Sequence, residues 1–112
     1  MRRGDIYTIA TGAGFGGKPR PALVIQADAF ARLSTTLFAL FTTQDAAAPD
    51  ARVRVVPDAL NGLRAVSYVM VHNINTVRKT DVGQRVGSLA PADLRRVDTA
   101  LLTFLGFADA AA

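Results

Sequence analysis

Residues 18–25 read Lys18-Pro19-Arg20-Pro21-Ala22-Leu23-Val24-Ile25, and this stretch decides between two folds. With Gly12 and Gly17 ahead of it, Lys18 completes the G-x-x-x-x-G-K spacing of a phosphate-binding loop. Such a loop needs a Ser or Thr next, to hold magnesium, and a helix whose N-terminus faces the phosphates. Here Pro19 takes the place of the hydroxyl, and the apolar run Ala22–Ile25 reads as a strand. Nucleotide hydrolysis is therefore excluded. Gly12, Gly14, Gly16 and Gly17 around Phe15 read instead as a mobile lid with one apolar contact. Each proline fixes its own backbone and biases the residue before it to an extended form. Arg20 is thus presented between two stiff points and loses little freedom in clamping a phosphate. A solvated arginine at a strand entrance fits the same residues equally well.

Short strands and turns continue on both sides. Ile6–Ala10 alternates weakly, Leu37–Phe41 is a second apolar run, and Arg52-Val53-Arg54-Val55 alternates strictly, as a strand with one wet face does. Asn61-Gly62 is a turn signal. Val66–Val71 reads as a strand that continues through Ile74 and Val77 after a bend or bulge. The period changes in the last third. Pro91 suits a first helical turn, Asp93 its positive end, and Leu94, Val97, Leu101, Phe104 and Leu105 fall on one stripe, with Gly106 as the stop. Ala108–Ala112 reads as a frayed tail. These elements predict a mainly β chain, residues 1–112 forming a single domain, built as a small β-barrel with a C-terminal α-helix closing it.

The chain has 112 residues, half of them hydrophobic, which is enough for one core. No apolar run approaches the ~20 residues of a membrane span. Met1-Arg2-Arg3-Gly4-Asp5 has no apolar stretch behind it, so no signal peptide is read. These absences predict a cytoplasmic protein. There is no cysteine, which removes thiol nucleophiles and zinc–thiolate sites, and no metal site is read. Eleven of the thirteen basic residues are Arg and all nine acidic ones are Asp. The guanidinium fork suits phosphate and hence nucleic acid. With twenty Ala beside it, the Arg excess also fits a GC-rich coding bias.

Two further positions carry chemistry. Thr42-Thr43 closes the apolar strand ending at Phe41, where hydroxyls can donate to a phosphate oxygen, although Thr is also an ordinary strand former and turn cap. His72 is the sole histidine, followed by Asn73, and histidine is the side-chain type suited to proton transfer near neutrality. Phe15, Phe30 and Tyr68 are aromatics available either to a core or to base stacking.

Taken in order, these pieces resemble the MazF/PemK/Kid family of toxins from toxin–antitoxin pairs. The resemblance runs through Arg3-Gly4-Asp5-Ile6-Tyr7, the Gly-rich loop, Arg20-Pro21-Ala22-Leu23-Val24-Ile25-Gln26 and Thr42-Thr43-Gln44. It continues through Asn61-Gly62-Leu63, Ser67–Val71, Ile74-x-Thr76-Val77-x-Lys79, Val86-Gly87-x-Leu89 and the helix end Leu101–Gly106, nearly the whole chain. It implies an SH3-like barrel, a homodimer, and sequence-specific cleavage of single-stranded messenger RNA without a metal or other cofactor. The products would be a 2′,3′-cyclic phosphate and a 5′-hydroxyl. A cognate antitoxin with an acidic tail is the implied protein partner. The resemblance maps the active site onto Arg20 and Thr42, with Lys18, Thr43, Gln44, Asn73 and Phe15 as RNA contacts. Where some members carry Arg-x-Asp, this chain has Met70-Val71-His72, and the Glu common in the lid is absent. His72 therefore becomes the first choice for general base or acid. Two alternatives remain. One is a CcdB-like gyrase poison on the same fold, which relies on a C-terminal Trp that this chain lacks; the other is an inert SH3-like binding module.

Overall fold

The computed structural model describes residues 1–10, 18–45 and 51–109. Among the described residues six strands, β1 (Asp5–Ile9), β2 (Arg20–Val24), β3 (Thr35–Thr42), β4 (Arg52–Val55), β5 (Ser67–Arg78) and β6 (Val82–Ser88), precede one α-helix, α1 (Pro91–Phe104). The strands form a single antiparallel sheet in the order β4-β5-β3-β2-β1-β6. The sheet is barrel-like but not closed: β4 and β6 are its two edges. Gly12, Gly14, Phe15, Gly16 and Gly17, read above as a lid, lie outside the described residues.

Alternation sorts the core onto the two faces. Ile6, Leu23, Ala39, Phe41, Val53, Val69 and Val71 pack on one face with Leu89 and the helical Val97 and Leu101. Ile9, Ala22, Val24, Phe38, Leu40, Met70 and Val77 pack on the other. Both faces bury side chains because the sheet coils, and each fully buried side chain of this size contributes about 1.5–3 kcal/mol. β5 is the long element, and its expected irregularity is present. Phe41 opposes Val69 while Ala39 opposes Ile74, so the residues between, His72 and Asn73 among them, bulge out of the ladder.

One strand went unread and one reading needs correction. Val82-Gly83-Gln84-Arg85-Val86-Gly87-Ser88 shows no apolar alternation and was assigned no element from the sequence; it forms β6 along β1. Its glycines explain the fit. A Cβ on Gly83 would lie 2.3 Å from Thr8 Oγ1, and one on Gly87 2.4 Å from the Asn61 carbonyl oxygen. The helical stripe is also shorter than its spacing suggests. Val97 and Leu101 are buried and Leu94 half-buried, whereas Phe104 and Leu105 are 51% and 56% exposed. Pro91 opens α1 and Gly106, at φ +85°, ends it as expected.

Asn61 fastens the β4–β5 connection. It is fully buried, its Nδ2 donates to the Val56 carbonyl, and its Oδ1 accepts from the amides of Asp58 and Leu63. Gly62 follows at φ +67°, where a Cβ would meet the Val86 carbonyl oxygen at 2.2 Å. The turn signal was therefore correct in place, but it marks a pinned loop against β6 and not a two-residue hairpin.

Candidate active site

The two prolines shape the site. Pro21 has no amide hydrogen, so it cannot donate to a ladder. On the β1 side Arg20 and Pro21 still pair, opposite Ile9 and Thr8, but on the β3 side pairing begins only at Ala22, opposite Leu40. The unzipped end is a notch. Arg20, Pro21, Phe41, Thr42, Thr43 and Ser67 line it, around a cavity of about 80 Å³.

Continuing the Ala22–Leu40 register sets Arg20 across from Thr42. Thr42 pairs with Tyr68, and Tyr68 with Arg54. Directly opposed residues share a face, with neighbouring strands about 4.8 Å apart. Thr42, Tyr68 and Arg54 therefore form one row across three strands, and Arg20 lies across the notch from its Thr42 end. Arg20 and Arg54 are exposed, and Thr42 and Tyr68 are half-buried.

The Thr42 hydroxyl is already oriented. The Gln44 amide donates to Thr42 Oγ1 at 3.2 Å, so that oxygen is used as an acceptor and its own proton remains to be donated. Ser67 Oγ donates to the Ala65 carbonyl. A second, wider cavity of about 550 Å³ shares Pro21, Thr43 and Ser67 with the notch and adds Arg64, Gln84 and Arg85. Arg85 faces Asp5 at 3.6 Å, a loose surface pair worth little in water.

The other sequence candidates divide. Thr43 lines both cavities, Gln44 orients Thr42, and Lys18 is exposed two residues ahead of Arg20. His72 is exposed, sits in the β5 bulge with Nδ1 3.4 Å from the Ala51 carbonyl oxygen, and does not line the notch. Asn73 lies beside it and accepts from Asn75 Nδ2 at 3.0 Å. Phe15 lies outside the described residues. Phe30 is 50% exposed on a short 3-10 turn over residues Asp28–Phe30, so the core reading of it does not hold. Sequence reasoning missed Ser67 and the arginine pair Arg64 and Arg85, which come from distant segments without a local motif. It could have found Arg54, whose alternation with Val53 and Val55 already marked it as facing water.

An open antiparallel sheet capped by one helix presents an arginine and a threonine across a proline-made notch, a pair of donor groups of the kind a phosphodiester accepts from. Residues 2–105 match the model of the PemK-like, MazF-like toxin of type II toxin–antitoxin systems. The chain is 46% identical over 108 residues to the probable endoribonuclease MazF of Mycolicibacterium smegmatis, covering 96% of this chain and 99% of that one. It is 35% identical over 106 residues to endoribonuclease MazF6 of Mycobacterium tuberculosis, covering 90% and 93%. Among solved structures, a mycobacterial endoribonuclease in complex with its cognate antitoxin superposes with a TM-score of 0.79 at 26% identity, covering 96% and 97%. The chain belongs to the MazF/PemK toxin family.

Proposed function

We propose that this toxin is an endoribonuclease that cleaves single-stranded messenger RNA by attack of a ribose 2′-hydroxyl on the adjacent phosphate. The products are a 2′,3′-cyclic phosphate and a 5′-hydroxyl. The observation carrying this reading is the Arg20–Thr42 notch. As the 2′-oxygen attacks, charge builds on the non-bridging phosphate oxygens. A guanidinium can take two of them at once, and Thr42 can add a neutral donor. A base must take the 2′-hydroxyl proton and an acid must protonate the departing 5′-oxygen. His72 is the residue we assign to one of these duties. Its place on the strand that supplies Tyr68 supports this; its distance from the notch lining requires RNA to span both. Lys18, Thr43, Gln44, Asn73 and Phe15 are our RNA contacts, and Tyr68 beside Thr42 offers a ring on which a base can stack.

Two partners complete the reading. The apolar groove along α1, lined by Ile25, Leu37, Ile74, Leu102, Leu105 and Phe107, suits a second copy of this chain. A sequence with Arg and Lys but no Glu, and net charge +4, suits an antitoxin with an acidic tail; a mycobacterial relative is seen with its cognate antitoxin. The relatives' names do not favour the gyrase-poison alternative. Incubating the purified protein with a single-stranded RNA and excess EDTA tests the chemistry. Cleavage should persist and leave cyclic-phosphate ends. Activity that vanishes in EDTA and returns with magnesium, or an RNA left intact, defeats it.

A further inference from the structure

We propose that Arg52 is a positioning residue for the Thr42 hydroxyl, acting through Gln44. The inference rests on the reading of Thr42 as a phosphate donor. Arg52 opens β4, opposite Met70, and is half-buried. Its Nη1 donates to the Gln44 carbonyl at 2.5 Å, and the Gln44 amide donates to Thr42 Oγ1 at 3.2 Å. Gln44 is itself exposed, so packing does not fix it. These two bonds grip it on either side of its Cα.

The grip has a cost that the bond to Gln44 must offset. Arg52 Nε is buried and has no hydrogen-bond partner among the described residues, and an unpaired buried donor is unfavourable. No carboxylate among the described residues pairs with this guanidinium either. What the conformation secures is a charge-assisted bond from Nη1 to one backbone carbonyl at the start of the β3–β4 connection.

The consequence reaches Thr42. A threonine hydroxyl has one proton and rotates to suit its partners. While the Gln44 amide occupies the oxygen, the proton must point elsewhere, and the notch is where a phosphate oxygen can receive it. If Gln44 swings free, the hydroxyl can turn to water or to a backbone carbonyl, and the donor is lost for part of the time. Arg52 thus acts on the chemical step through the Gln44 backbone, with no phosphate contact of its own.

The experiment uses a labelled single-stranded RNA oligonucleotide with Arg52→Ala, Arg52→Lys, Thr42→Val and the double variant. Arg52→Ala should lower kcat about tenfold, the worth of one hydrogen bond, with the salt dependence of KM unchanged. Arg52→Lys, whose ammonium can reach the same carbonyl, should recover most of the loss. In the Thr42→Val background Arg52→Ala should have no further effect, since the group it positions is gone. Arg52→Gln, keeping a neutral donor, serves if the alanine variant folds poorly. Hydrogen exchange at the Gln44 amide, read without RNA, should quicken in Arg52→Ala. A rise in KM with a shallower salt dependence would make Arg52 a phosphate contact and overturn the proposal. Additive losses in the double variant, or unchanged Gln44 exchange, overturn it as well. If exchange quickens but Thr42→Val cleaves like the parent, the positioning geometry survives and the reading of Thr42 fails.

Discussion

Thr42 Oγ1 lies 3.2 Å from the Gln44 amide nitrogen, which makes the hydroxyl an acceptor toward its own chain and leaves its proton to be donated. Thr42→Val keeps the β-branched shape of the strand end while removing the donor. We expect a fall in kcat of about tenfold to a hundredfold, with thermal stability close to the parent's. Thr42→Ser should keep much of the activity. Single-turnover cleavage reads both, and a fully active Thr42→Val removes the residue from the site.

Arg20 is exposed, and Pro19 and Pro21 fix the backbone around it. Arg20→Ala should lower cleavage on the order of a hundredfold or more, the usual loss for a main transition-state donor. Arg20→Lys should rescue poorly, because an ammonium lacks the two-pronged contact. If Arg20→Ala retains full activity at unchanged stability, the charge on the phosphate is met elsewhere.

Asn61 offers a stability test remote from the chemistry. Replacing it with Ala strands the Val56 carbonyl and the Asp58 and Leu63 amides, all held now by one side chain. The expected cost is about 3 kcal/mol, or roughly 10–20 °C in Tm for a domain of this size. Thermal unfolding followed by circular dichroism measures it; a shift of a degree or two would mean that water replaces the amide easily.

How much of this was legible beforehand follows from where each signal resides. Pro19, Pro21, the Ala22–Ile25 run and the Arg52–Val55 alternation are local features, and they located β2 and β4 correctly. The break after Val71 was also local, and the bulge is there. β6 was invisible because its strand character comes from Thr8 and the Asn61 loop lying against Gly83 and Gly87, a tertiary fit without periodicity. At the site, Arg20 and Thr42 were found as separate motifs, but their juxtaposition depends on the register of β2 with β3. Ser67, Arg64 and Arg85 reach the same end of the sheet from other segments, which no linear spacing reports.

His72 is tested by pH. As an acid or base it should give the pH–rate profile a limb that His72→Gln removes together with most of the activity. His72 is exposed, and its Nδ1 lies 3.4 Å from the Ala51 backbone carbonyl oxygen, so the substitution should leave the fold intact. A variant with the parent's profile would make His72 a bystander and assign proton transfer to another group.

Assembly is tested on the surface along α1. Leu102, Phe104, Leu105 and Phe107 are 49%, 51%, 56% and 79% exposed, an unusual concentration of large apolar side chains at one helix end. Leu102, Leu105 and Phe107 border a groove of about 630 Å³ with Ile25, Leu37 and Ile74, and the Arg3–Asp98 ion pair at 2.6 Å forms part of its wall. A two-fold axis there would let each copy fill the other's groove and hide the same surface twice. Light scattering should therefore give about twice 11.8 kDa at micromolar concentration. Leu105→Asp puts a charge into that interface at a position already open to solvent in one copy. It should give a monomer with an unchanged circular-dichroism spectrum, because the buried Val97 and Leu101 still hold α1 to the sheet. A Leu105→Asp protein that remains dimeric would move the interface to another face, with the β4 and β6 edges next in line.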